Sequence, residues 1–166
     1  RLSGQGKAIL VGANVLAISL ASEYPGWSEF QSSIKAIVEK AMSTLLIGSI
    51  ERISIKYVNL IEKNLGMDHI DLINLSVDFA GRSIKNEPLS IRTEQATEKF
   101  VNVINVVTQA TAHSHDDQRS RHGIVIDVDT IANGPYQNFS EDFLSLMEEI
   151  HEEEKRVFFG LLTPET

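Results

Sequence analysis

The longest unbroken helical pattern in the chain covers residues 139–162, FSEDFLSLMEEIHEEEKRVFFGLL. At 100° per residue, Phe143, Leu146, Met147, Ile150, Val157, Phe158 and Leu161 fall in one stripe about 120° wide, the width of a core-facing helix. Ser140 reads as its N-cap, with Glu141 and Asp142 in the first turn and Lys155 and Arg156 towards the end, as the helix dipole favours. Glu154 breaks the pattern by projecting near the middle of the apolar stripe. A second helical pattern covers residues 27–46. There Trp27, Phe30, Ile34, Val38, Ala41, Met42 and Leu45 share a face, Tyr24-Pro25-Gly26 lead in, and Gly48 closes the helix.

Elsewhere the period is two. Residues 7–12 and 14–21 read as two strands joined by a tight turn at Ala13-Asn14, and residues 50–62, IERISIKYVNLIE, as the strongest strand. In that strand Ile53, Ile55, Tyr57, Asn59 and Ile61 share one face, and Arg52, Ser54, Lys56, Val58, Leu60 and Glu62 the other. Residues 64–83 carry short apolar clusters without a clear period and read as an irregular connection. Residues 88–95 and 100–112 form two further strands around a turn at 96–99, and residues 123–131 a last one, broken by Asn133-Gly134-Pro135. The second of these, FVNVINVVTQATA, is apolar on both faces but carries Asn102, Asn105 and Gln109, as suits a central strand whose amides find partners.

The order ββαββββα with short links predicts a single α+β domain over residues 1–166. Its form is a curved antiparallel sheet of about six strands with the two long helices packed on one face. Helix-grip ligand-binding folds share this geometry, by analogy of fold alone.

Composition narrows the function classes. The 166 residues are 42% hydrophobic and 23% charged, ordinary for one globular domain. A net charge of −8 disfavours nonspecific nucleic-acid binding and anionic membrane surfaces. No apolar run approaches the roughly 20 residues of a membrane helix. There are no cysteines, so disulfides and thiolate metal sites are excluded, in keeping with an expected cytoplasmic location.

Several stretches together resemble a known pattern. These are residues 6–30 with Val11 to Leu16 and Tyr24-Pro25-Gly26-Trp27, Arg52 to Asn59, GIVIDVDT at residues 123–130, and the closing helix with His151, Phe158 and Thr163. The chain is similar in these to a sporadically distributed family of prokaryotic proteins of unknown function, with Lys56 where that pattern usually has arginine. The match is weakest over residues 64–86 and 113–122. The resemblance implies an α+β architecture and a further N-terminal portion in the whole protein, so that this chain, beginning at Arg1 rather than Met, is expected to be a fragment or a processed form. It implies no reaction, substrate or catalytic residue.

Candidate chemistry is sparse. His113, His115, Asp116, Asp117 and His122 supply metal-ligating groups, but their spacing matches no known site, and a solvated hairpin loop is the simpler reading. Asp127 and Asp129 point to the same face of a strand, about 7 Å apart. They could hold a divalent cation with Glu154 as third ligand, or pair with Arg52 and Lys56, the plainer account. Glu154 in its stripe has the profile of a buried general acid, or of a carboxyl bonded to Asn59, Tyr57 or a sheet amide. His151 lies one turn earlier. Phe159 projects onto the charged face of the helix and, with Leu162 and Leu144, makes a modest patch suited to an interface. Glu148, Glu149, Glu152 and Glu153 read as a solvated face, with Glu152 and Arg156 as a helix pair.

No glycine-rich phosphate loop, nucleophile elbow or basic-aromatic stripe is present. The reading is therefore a non-enzymatic interaction or regulatory module that needs no cofactor and pairs with itself or another protein. The alternative is a small-molecule binder or hydrolase with a cavity between the sheet and the C-terminal helix, lined by Glu154, Asn59, Tyr57 and His151.

Overall fold

The computed structural model describes residues 2–4, 6–20, 24–44, 49–62, 69–84, 87–113, 120–136, 139–164 and 166. They form two compact units, Arg1–Gly48 with Ser140–Leu144, and Ser49–Phe139 with Ser145–Thr166.

In the first unit, β1 (Leu2–Gly4), β2 (Lys7–Val11) and β3 (Leu16–Leu20) make a three-stranded antiparallel sheet in chain order. The amide of Gly12 donates to the Val15 carbonyl at 2.8 Å and closes the β2–β3 hairpin around Ala13-Asn14. β1 had no period to betray it, since three residues are too few to alternate. Helix α1 (Trp27–Thr44) starts after Gly26, at φ +94°, and buries Ile34 and Ala41. Tyr24 and Trp27 set their rings edge-on to Phe30, at centroid distances of 6.1 and 6.4 Å. The proposed stop at Gly48 lies outside the described residues.

The second unit is built on β4 (Ile50–Glu62), β7 (Ser90–Ala96), β8 (Phe100–His113) and β9 (Ser120–Tyr136), an antiparallel sheet in the order β4-β9-β8-β7. Between β4 and β7 come a 3-10 turn (His69–Leu72) and a small hairpin of β5 (Val77–Phe79) and β6 (Arg82–Ile84). Helix α2 (Phe139–Gly160) follows, its residues from Ser145 onward belonging to this unit.

The α+β class is as expected, but a single sheet of about six strands is not what forms. The strands divide among three sheets. Among the described residues the first hairpin pairs only with β1. The β5–β6 hairpin closes on Ala80-Gly81, both at positive φ, in the two-residue turn that isolates a short ribbon. The supposed break at Asn133-Gly134-Pro135 is also absent, because β9 runs through to Tyr136. Its register against β4 shifts between Ile50 and Arg52, which accommodates the proline in a bulge. A Cβ on Gly134 would lie 2.4 Å from the Ile50 carbonyl oxygen, so only glycine fits there. Ser140 falls inside α2 rather than at its cap.

Register places Tyr57, Val128 and Ile104 side by side, and alternation then fixes two faces. One face carries Ile55 from β4, Ile124, Ile126 and Val128 from β9, and Ile104 and Val106 from β8. Val157, Phe158 and Leu161 of α2 pack onto it with Leu72 and Ile73. Fully burying one such aliphatic side chain contributes about 1.5–3 kcal/mol, so this helix-side face holds most of the unit's stability.

Asn74 ties down the last turn of α2. Its amide side chain donates to the carbonyls of Gly160 and Leu162, at 3.2 and 2.8 Å, and its backbone N–H to that of Leu161 at 2.8 Å. Thr163 adds a hydroxyl bond to the Asp71 carbonyl at 2.8 Å, and Ile73 bridges to Leu162. Carbonyls that a helix C-terminus leaves without partners are thus satisfied by the segment once read as irregular.

Candidate functional site

Two polar side chains on the helix-side face are fully buried. Asn102 and Thr130 sit opposite each other on β8 and β9, and neither is exposed. The Thr130 hydroxyl donates to Asn102 Oδ1 at 2.8 Å, and Asn102 Nδ2 donates to Glu153 Oε1 at 2.7 Å. Arg156 closes the chain from solvent, with Nε and Nη2 donating to the two Glu153 oxygens at 2.8 Å each. The Arg156 bond holds the Glu153 carboxyl below its ordinary range against the opposing effect of burial, and Asn102 adds to it. Glu153, its side chain 13% exposed, is therefore not part of a solvated face. Nor does Glu152 pair with Arg156. It accepts from Lys155 at 2.8 Å.

Glu154, one residue on, is 3% exposed, and its Oε1 is buried without a hydrogen-bond partner. Burial pushes its carboxyl up to about 7, with the Lys155 charge pulling the other way. The sheet amide that reaches α2 goes to Glu153, so the expected bond between Glu154 and a sheet amide does not form through Asn102. Tyr57 lies against His151, ring centroids 5.9 Å apart and tilted by 47°, and Asn59 is half-buried two residues along the same face. Burial lowers the His151 pKa, assisted by Lys155 and opposed by Glu148 and Glu152. Near neutral pH this helix therefore presents a carboxyl close to half-protonation one turn after a neutral imidazole, chemistry that can donate or take up a proton.

The metal readings divide. Asp127 and Asp129 occupy the opposite face of the sheet from α2, with Lys56 at 2.7 Å from Asp127 and Arg52 at 3.4 Å from Asp129. Glu154 cannot serve as their third ligand, because the sheet stands between them. Among the described residues no three His, Asp or Glu side chains are placed to hold a metal ion. Of the loop candidates, His115, Asp116 and Asp117 lie outside the described residues. His122 is exposed, with Nδ1 3.0 Å from the Thr111 hydroxyl.

The three interface candidates are not alike. Phe159 is 61% exposed on the last turn of α2, its ring edge-on to Phe158 at 5.3 Å. Leu162 is half-buried against the core cluster, and its backbone bridges to Ile73. Leu144 is exposed and belongs to the first unit.

An interaction surface that periodicity did not single out is the free side of β4. Among the described residues this strand of 13 residues pairs with β9 alone, and Val58, on the face away from α2, is 63% exposed. Its position at the end of the sheet could be known only once the strand order was. No helix among the described residues is long and apolar enough to cross a membrane.

Comparison with family models, with curated proteins and with solved structures gives no match.

Proposed function

We propose that this chain is a non-enzymatic interaction module of the cytoplasm that associates with a second copy of itself. The observation that carries the reading is the long outer strand β4, which among the described residues is paired on one side only. A strand edge of that length presents backbone donors and acceptors to any extended chain that meets it, and proteins that stay monomeric usually shorten, bulge or cover such edges. Phe159 offers a separate exposed anchor for a protein partner. The family that the sequence resembles brings no reaction with it, and the sequence carries none of the common catalytic motifs. Sedimentation equilibrium of the full chain over a range of micromolar concentrations tests the proposal. A rise in mass towards that of a dimer is expected, and a monomer throughout would overturn it.

A second reading is favoured by Glu154. A buried carboxyl oxygen without a partner, one turn after the His151 ring that lies against Tyr57, suits a protein that anchors the polar group of a small molecule, or that protonates it. Ligand screening by thermal shift, with Glu154→Gln as control, tests this reading. Compounds that stabilise the wild type and not the variant would support it, and equal shifts in both would remove Glu154 from the site.

A further inference from the structure

The self-association reading can be taken to a definite geometry, because among the registers that keep most of β4 paired its sequence favours one. Residues opposed in an antiparallel pair point to the same face. A two-fold axis joining two copies of β4 must therefore pass through a residue. Placed between two residues, it would continue the helix-side face of one copy into the opposite face of the other. An axis at Lys56 sets that ammonium against its own copy and Glu62 against Ile50, both unfavourable. An axis at Val58 leaves Arg52 beyond the overlap and sets Glu62 against Ser54. An axis at Tyr57 sets Arg52 against Glu62 at both ends, Ile53 against Ile61, Ile55 against Asn59, Ser54 against Leu60 and Lys56 against Val58.

We infer that two copies of this chain pair antiparallel through β4 about Tyr57, joining the two four-stranded sheets edge to edge. The inference rests on the self-association reading and adds the surface, the partner and the register. Among the described residues, the ion pairs of Arg52 and Glu62 within one copy are long, at 3.4 Å to Asp129 and 3.5 Å to Arg121, and both side chains are exposed. Each has capacity for an opposite charge from the second copy. Val58 loses its exposure against the aliphatic stem of the partner copy's Lys56.

The absence of cysteine gives a clean test. Lys56→Cys and Val58→Cys are made singly in the full chain; Val58 is exposed, and Lys56 gives up one ion pair, to Asp127, worth about 1 kcal/mol or less. Each is oxidised alone and then in mixture with the other, so that directly opposed thiols join as a disulfide and the diagonal pairs, about 7–8 Å apart, do not. Cross-linked dimer in the mixture, with little in either variant alone, is the expected result, because position 56 of one copy faces position 58 of the next. Dimer from Lys56→Cys alone or from Val58→Cys alone would shift the axis and overturn the register. A dimer by sedimentation without cross-linking in any sample would move the interface off β4 while leaving self-association intact. A monomer in sedimentation would overturn both. Charge reversal gives a second measurement. Arg52→Glu or Glu62→Arg should each weaken association about tenfold, and the double variant should restore it. Failure of the double variant to recover would overturn the Arg52–Glu62 pairing.

Discussion

Asn102 donates its side-chain amide to Glu153 across the gap between sheet and helix, at 2.7 Å, while accepting from Thr130 on its other side. One amide thus satisfies a buried hydroxyl and a half-buried carboxylate together. Asn102→Ala should cost about 2–3 kcal/mol, because it leaves both groups without that partner in a region water reaches poorly. Arg156→Ala should cost about 1 kcal/mol or less, since that pair lies at the surface. Urea denaturation of the two variants checks the order, and an Asn102→Ala protein within about 0.5 kcal/mol of wild type would remove the network from the account.

Glu154 and His151 give stability opposite pH dependences. The Glu154 carboxyl, raised from 4.5 to about 7, contributes stability that is fully present below about 4.5 and is lost as pH rises through about 7. His151 is lowered from 6.5, so its contribution is present above 6.5 and is lost as pH falls through its depressed value. Glu154→Gln should therefore stabilise the protein at pH 8 by on the order of 1–3 kcal/mol and have little effect near pH 4.5. Denaturation curves at the two pH values read this directly. A variant equally stabilised at both would mean that Glu154 does not change its protonation in this range.

Phe159 separates two modes of association. Exposed as it is, Phe159→Ser should change stability by less than about 0.5 kcal/mol. If β4 is the dimer surface, the sedimentation constant should also be unchanged. Loss of the dimer in this variant would place the contact at the end of α2 instead.

Asn74→Ala removes two of the three bonds that Asn74 makes to the end of α2 and should cost about 1–2 kcal/mol. Amide exchange offers a sharper reading than global stability. The amides of the last helical turn should exchange faster in the variant, while those at the centre of β9 should not.

Gly123 of β9 faces the β4 backbone so closely that an added Cβ would lie 2.0 Å from the Ile61 carbonyl oxygen. Gly123→Ala must push the two strands apart locally and should cost more than about 2 kcal/mol. It should weaken any β4-mediated dimer as well.

Much of this was legible in the chain, where the signal is local and periodic. The stripe of α2 from Phe143 to Leu161, the β2–β3 hairpin and the alternation of β4 follow from period alone. The facing of Asp127 and Asp129 towards Lys56 and Arg52 follows from the same alternation. Glu153 was misread because periodicity reports the direction of Cβ, whereas a glutamate at the margin of a stripe can bend under the helix to a distant amide. Asn74 was illegible for another reason. Its partners lie more than 80 residues away, and no local pattern marks an asparagine that caps a helix so remote in sequence. The division into three sheets rests likewise on which strands meet, information that turn residues convey only for neighbours.

The order in which these pieces arrive along the chain has its own consequence. The strands from β4 to β9 are complete by Tyr136, but Val157, Phe158 and Leu161 follow more than 20 residues later. During synthesis, Ile124, Ile126 and Val128 must wait uncovered beside an unprotected strand edge, the combination most prone to misassembly. Because the helix that covers this core comes last, shortening it should lower the yield of folded chain before it lowers anything else.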